Sequence, residues 1–207
     1  MRLILLSDTH SLHKNMTHPI PDGDVLVHCG DFTGVGELRD VLGFNDWLGG
    51  LPHEHKVVIA GNHERGWTQG NLEGVLTNAT YLQDSLINIR GVNFYGSPWT
   101  PNFGWGWAFN ARRGEEIRGH WGRIPRGQVD VLITHGPPMG ILDRVGFESV
   151  GCADLRTRVA DVAPTLHVFG HLHEGYGQTK IGQTTYVNAA ICNEMYEPIN
   201  APIVLDI

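Results

Sequence analysis

Lys56-Val57-Val58-Ile59-Ala60-Gly61-Asn62-His63-Glu64 is the stretch on which the reading of this chain turns. Its first five residues form a short apolar, β-branched run, the pattern of a buried parallel strand. Gly61 is expected to end the run in a tight turn. Asn62, His63 and Glu64 are then presented at the strand's carboxyl end, where open α/β sheets hold their ligands. Taken alone, an Asn after a Gly reads as a turn residue, and a His beside a Glu as a structural pair. The stretch gains weight because four other apolar runs end in residues of the same kind.

Arg2 to Leu6 is the first such run, and Ser7-Asp8-Thr9-His10 follows it. On extended backbone, residues two apart face the same side, so Asp8 and His10 can offer a carboxylate and an imidazole to one point. Asp8 can equally serve as a turn cap. Asp24 to Cys29 is the second run, with Gly30-Asp31-Phe32-Thr33 at its exit, and His28 inside it reads as a hydrogen-bonded core residue. Val129 to Ile133 leads into Thr134-His135-Gly136-Pro137-Pro138, a loop that cannot be helix. Thr165 to Phe169 leads into Gly170-His171-Leu172-His173, two imidazoles at His-x-His spacing.

Between these runs the pattern predicts a helix over 37–48, with Leu38, Val41, Leu42 and Leu48 inward, closed by Gly49-Gly50. Further helices are predicted over 112–121 and 152–162. Arg90-Gly91, between Leu86–Ile89 and Val92–Tyr95, signals a β-hairpin. His53 and His55 precede their strand, so they fall at the wrong end of the sheet for a site and are read as solvent-facing. Late strands are expected around 184–188 and 202–205. Residues 96–110 hold three Trp and two Phe among Gly and Pro. They read either as a small core under a long loop or as a wall for a flat substrate group. Arg112 and Arg113, next in the chain, are candidates to neutralise a phosphate or simply a solvated basic face.

The bulk properties bound these readings. The chain has 207 residues, 41% hydrophobic and 18% charged, which fits one domain over residues 1–207 with a substantial core. No repeat, linker or low-complexity segment suggests a second. A net charge of −7 argues against long nucleic acid as a partner. Leu3-Ile4-Leu5-Leu6 is too short for a signal-peptide core, and no run reaches membrane-span length, so an intracellular, cytoplasmic protein is expected. Cys29, Cys152 and Cys192 have no metal-binding spacing and read as reduced, buried side chains.

Together the strand exits supply Asp8, His10, Asp31, Asn62, His63, His135, His171 and His173. Carboxylates, an amide oxygen and neutral imidazoles suit Mn²⁺, Fe or Zn²⁺ better than a thiolate-type metal. The donors outnumber what one ion needs. Two metals about 3.5–4 Å apart, bridged by a carboxylate, would use them.

The order Asp-x-His, Gly-Asp, Gly-Asn-His-Glu, Thr-His-Gly and Gly-His-x-His resembles that of the calcineurin-like metallophosphoesterases. Within them the chain looks most similar to the metallophosphoesterase domain-containing proteins. Matching segments there include Phe44-Asn45-Asp46-Trp47-Leu48-Gly49, Tyr81 to Ser85, Pro98 to Pro101 and Thr184-Thr185-Tyr186. The resemblance implies an αββα sandwich: two central β-sheets flanked by helices. It also implies that Asp8, His10 and His173 hold one metal, that Asn62, His135 and His171 hold the other, and that Asp31 bridges them. A hydroxide between the metals would attack phosphorus, and His63 would stay unligated and serve the leaving oxygen. Glu64 would act behind His63, fixing its tautomer. Two departures bear on this. Phe32-Thr33-Gly34 stands where many phosphoesterases of the superfamily carry a second acid, as in the nearer subfamily. His171 is present where some members of that subfamily have Gly, which implies a full two-metal site.

The expectation is therefore a metal-dependent phosphodiesterase, with manganese the leading metal. Its substrates would be small phosphodiesters, cyclic nucleotides foremost, and Trp99, Trp105, Arg112 and Arg113 would contact them. The rivals are a phosphomonoesterase or protein phosphatase, a single-strand nuclease, and a non-catalytic docking module. The last is disfavoured because no ligand position is lost.

Overall fold

The computed structural model describes residues 1–207 as a mixed α/β fold of two main sheets with helices on their outer faces. In chain order the elements are β1 (Arg2–Leu6), β2 (Val25–His28), α1 (Leu38–Gly49), β3 (His55–Val58), α2 (Leu72–Val75), β4 (Thr80–Tyr81), β5 (Ser85–Ile89), β6 (Val92–Ser97), β7 (Thr100–Pro101) and β8 (Asn110–Ala111). They continue with α3 (Glu115–Trp121), β9 (Val131–Thr134), β10 (Arg144–Val145), β11 (Glu148–Ser149), α4 (Ala153–Val162), β12 (Leu166–Phe169), β13 (Gly177–Ile181), β14 (Thr184–Asn188) and β15 (Ile203–Asp206). A single 3₁₀ turn, His173–Gly175, follows β12.

One sheet has the order β15-β1-β2-β3-β4 and the other β13-β14-β12-β9-β6-β5. The central pairs β1–β2, β2–β3, β6–β9, β9–β12 and β12–β14 are parallel. The predicted hairpin is present as β5–β6, with Ile89 opposite Val92 around Arg90-Gly91.

Alternation along each strand builds the layers. Leu3 and Leu5 of β1 join Val25, Val27, Val57, Val131, Ile133 and Val168 in the core between the sheets. Ile4 and Leu6 face the other way, into a core closed by Val41, Phe44 and Leu48 of α1. Leu132 and Phe169 point to the opposite outer face, onto Ile117 and Trp121 of α3 and Leu155 and Val159 of α4. Strands buried on both faces must read as continuous apolar runs, and these do.

Three local expectations change. In α1 the buried stripe is Val41, Phe44, Asn45 and Leu48, which keeps helical spacing and turns Leu38 and Leu42 to solvent. His53 is buried, with its Nε2 2.9 Å from the carbonyl of Pro21 in the loop between β1 and β2. The helix predicted from Arg112 starts at Glu115, since Gly114 takes φ 90° and breaks the helical backbone.

Candidate metal centre

The five strand exits converge on one place from the two sheets of the expected sandwich. β1, β2 and β3 deliver Asp8, His10, Asp31 and Asn62, while β9 and β12 deliver His135, His171 and His173. The sheets meet here, where Ser7 pairs with Ala190 just beyond β14.

The donors form overlapping groups. Asp8, His10 and His173 have ligand atoms within 4.8 Å of one another, as do Asp31, His135 and His171, and also His10, Asp31 and His63. His10 Nε2 lies 3.2 Å from His173 Nε2, and the latter 3.6 Å from Asp8 Oδ1. On the other side His135 Nε2 is 3.0 Å from Asn62 Oδ1 and 3.3 Å from Asp31 Oδ2.

The hydrogen bonds behind the donors set their chemistry. His173 Nδ1 is 2.8 Å from the Asn193 carbonyl, and His135 Nδ1 2.8 Å from the Cys29 carbonyl. Each must carry a hydrogen on Nδ1 to satisfy that oxygen, so Nε2 is the nitrogen left to face the site, with a lone pair once the ring is neutral. His135 Nε2 therefore faces two oxygen acceptors, and the His10 and His173 nitrogens face each other. Asp8 Oδ1 is buried without a hydrogen-bond partner. Imidazole nitrogens and carboxylate oxygens converging from several strands, with Asp8 Oδ1 orphaned among them, are the donor arrangement that a cation satisfies. The residues present fit divalent metal.

Protonation follows the same logic. Burial pushes the His135 imidazole down, but the Asp31 carboxylate beside it wins and raises it to about 9. His10 is held down at about 4 and His171 at about 3, burial being the main cause in both. Burial raises Asp8 and Asp31, yet the neighbouring histidines outweigh it and hold both carboxyls below the usual range.

The backbone is strained where the donors sit. Asp8 (φ 54°), His10 (φ 43°), Asp31 (φ 52°) and His171 (φ 69°) all occupy the left-handed region. Two glycines matter for space rather than for turn geometry. A Cβ on Gly61 would strike Asp31 Oδ1, and one on Gly170 would strike Asp8 Oδ2. Gly61, expected to be a turn glycine, is instead the point where β3's exit passes the Asp31 carboxylate.

His63 Nδ1 is 2.6 Å from the Gly34 carbonyl and its Nε2 3.9 Å from Asp31 Oδ2. Glu64 does not touch His63. It is fully buried and accepts hydrogen bonds from the backbone of Asp31, Thr33 and Gly61 and from the Thr33 hydroxyl, tying the exits of β2 and β3 together. Burial and the nearby Asp31 push its carboxyl up to about 7 against those donors.

A cavity of about 580 Å³ opens over these residues. Its aromatic wall is Phe103, Trp107 and Tyr196. Trp99 lies elsewhere: it stacks on His120 at 3.6 Å and donates to Asp84 at 3.0 Å. Trp105 is fully exposed at a loop tip and does not line the cavity. Arg112 pairs with Glu116 at 2.6 Å, outside it. Arg113 does line it, with both terminal nitrogens donating to the carbonyls of Gly151 and Val150. Tyr196, Glu174 and Glu194 escaped the sequence reading. Tyr196 takes φ 59° in a turn organised by Asn193, and no periodicity marks such a residue.

Fold and site together define a two-sheet α/β protein with a cluster of carboxylate and imidazole donors suited to divalent metal where the sheets meet. The model of the calcineurin-like phosphoesterase superfamily domain matches residues 1–194. Metallophosphoesterase domain-containing protein 1 of Homo sapiens is 48% identical over 236 residues, covering all of this chain and 71% of the human protein. UPF0046 protein C25E10.12 of Caenorhabditis elegans is 41% identical over 231 residues, covering all of this chain and 81% of its own. One solved structure superposes with a TM-score of 0.68 at 16% identity, covering 90% of this chain and 89% of that one. TT1561 of Thermus thermophilus gives a TM-score of 0.57 at 13% identity, covering 90% of this chain and 88% of that one. These two support the fold.

The chain belongs to the calcineurin-like phosphoesterase superfamily, and is thus a phosphoester hydrolase of a family that uses divalent metals.

Proposed function

We propose that this protein is a two-metal phosphodiesterase for small phosphodiesters, with cyclic nucleotides the leading class. The observation that carries the two-metal reading is the position of Asp31. Its carboxylate shares one donor group with His10 and another with His135 and His171, while His10 in turn groups with Asp8 and His173. Asp8, His10 and His173 would hold one ion, Asn62, His135 and His171 the other, with Asp31 common to both. Manganese is the leading candidate because the donors are carboxylate, amide and imidazole. Bound there, divalent metals would lower the pKa of a coordinated water and neutralise charge developing on phosphoryl oxygens.

The chain's own groups would do the rest. His63, held by the Gly34 carbonyl at Nδ1, has Nε2 free to hold a proton for the leaving oxygen. Phe103, Trp107 and Tyr196 line the cavity and would be the rings for a base to stack on, one face of Trp107 being already covered by the Arg65 guanidinium at 4.0 Å. Away from the metal donors, the side-chain charge of the cavity supports a diester. Its only Lys or Arg is Arg113, already committed to two carbonyls, while Glu174 and Glu194 add negative charge. A monoester dianion meets that wall less favourably than a diester monoanion. The three cysteines are buried and unpaired, which supports a reducing compartment such as the cytoplasm. No helix is long and apolar enough to cross a membrane.

The test is a substrate panel with added Mn²⁺: 2′,3′- and 3′,5′-cyclic nucleotides, an aryl diester, an aryl monoester and single-stranded DNA. Cyclic nucleotides and the aryl diester should turn over fastest. A higher kcat/KM for the monoester would overturn the diester reading, and fast, steeply salt-dependent cleavage of DNA would point to a nuclease.

A further inference from the structure

His28 and His167 are fully buried and belong to none of the donor groups. Each lies on the strand beside one that delivers donors. His28 ends β2, paired with Leu6 of β1, and His167 lies in β12, paired with Leu132 of β9. Each turns Nε2 toward a fully buried threonine on that neighbouring strand or its exit: Thr9 Oγ1 at 3.0 Å, Thr134 Oγ1 at 2.8 Å. Each leaves Nδ1 without a partner. Each ring is packed against aromatic neighbours, His28 against Phe44 at 5.0 Å and His167 against Phe169 at 5.0 Å.

The two threonines occupy corresponding places. Thr9 is the residue between Asp8 and His10, both in left-handed backbone. Thr134 directly precedes His135, and its hydroxyl donates to the Gly136 carbonyl at 2.8 Å, so it clasps His135 from both sides. Because that hydrogen goes to Gly136, His167 must donate its Nε2–H to the Thr134 oxygen. The same His–Thr bracket thus stands behind a donor exit of each sheet.

We infer that His28 and His167 are positioning residues, one for each metal of the proposed pair. His28 acts through Thr9 on Asp8 and His10; His167 acts through Thr134 on His135. The assignment rests on the two-metal reading. On the Thr9 side the backbone of Asp8 and His10 is strained, and such backbone persists only where its surroundings over-determine it. A buried polar pair does this in a way an apolar contact does not, because its direction is fixed and its partners cannot be traded for water. Groups behind metal ligands commonly change metal affinity by about 10- to 100-fold when removed. Since each bracket touches the exits of its own sheet, the two effects should separate by site.

The experiment is Mn²⁺ titration by calorimetry of the full chain and its variants, with thermal unfolding of each metal-free form as the control for fold. Wild type should take up two ions. Thr9→Val and Thr134→Val should each weaken one binding event by about 10- to 100-fold. In a His135→Ala background, which leaves the Asp8 side intact, Thr9→Val should weaken the remaining event and Thr134→Val should not. His28→Gln, whose amide can donate to or accept from the Thr9 hydroxyl, should bind as wild type does, and His28→Phe as Thr9→Val does. His28→Gln and His28→Phe also serve if Thr9→Val fails to fold. Two ions in wild type with unchanged affinities in the variants would overturn the positioning roles alone. Equal weakening of both sites by either bracket would do the same. A single ion in wild type would overturn the two-metal reading and this assignment with it.

Discussion

Asp31 accepts the backbone N–H of His63 through Oδ1 at 2.7 Å. One carboxylate oxygen thereby anchors the β3 exit loop, while the other, Oδ2, lies 3.3 Å from His135 Nε2 and would be the one left to hold metal. The residue expected to bridge the ions also sets where the proposed acid stands. Asp31 cannot be altered without disturbing both, so tests must act on its neighbours.

Replacing His135 with Ala should lower metal content and activity together. It removes an imidazole whose Nε2 faces Asn62 and Asp31. Loss of one metal per chain and a fall in kcat of roughly 10³-fold or more are expected. Metal analysis beside steady-state rates checks this, and full activity with one metal would sink the two-metal scheme.

His63→Ala should keep both metals and slow turnover by roughly 10²- to 10⁴-fold. The loss should shrink for an aryl diester whose leaving group needs no proton. Because His63 also groups with His10 and Asp31, a drop in metal content would show that it is a ligand.

Trp107→Ala should raise KM for cyclic nucleotides by roughly 5- to 100-fold, the range of one lost base stack. Its effect on an aryl diester should be smaller. Trp105→Ala should change neither, since that side chain stands clear of the cavity. Equal KM effects of Trp107→Ala on both substrates would refute base stacking.

Gly61→Ala should destabilise the protein and impair metal uptake. The added Cβ would strike Asp31 Oδ1 and the His135 ring in a fully packed place. Such overpacking typically costs about 1–3 kcal/mol. Denaturation with and without Mn²⁺ measures it, and an unchanged midpoint would mean that the loop moves freely.

Burial holds His167 down at about 3, against about 6.5 in an unfolded chain. Between those values the unfolded state binds the extra proton. This contribution to stability is therefore complete above pH 6.5 and is lost as pH falls toward 3. The slope from one such histidine is at most about 1.4 kcal/mol per pH unit. Denaturant unfolding in EDTA at a series of pH values should give His167→Gln a shallower slope than wild type across that window. Identical slopes would show that His167 titrates normally in the fold.

Much of this protein was legible because apolar runs ending in Asp, Asn and His are local patterns. Strands buried on both faces must be continuous and apolar, so β1, β2, β3, β9 and β12 announced themselves within a residue or two. The donor types at their ends, and their order, carried the family.

What the chain alone did not disclose depends on residues far apart meeting. Glu64 looks like a partner for its neighbour His63, yet it binds the backbone of Asp31 and Thr33 across the sheet. Trp105 and Trp107 are equivalent in sequence, and only the path of the loop puts one in solvent and the other against His63 at 4.7 Å. Tyr196 reaches the cavity because Asn193 bends the chain back beside His173. The sequence by itself determined which residue types leave which strands, since alternation and turn chemistry act over a few residues. The tertiary structure decided which of them converge, which backbone they must strain, and which aromatics face the cavity. Those are contacts between two sheets, and their energy exists only once both are packed.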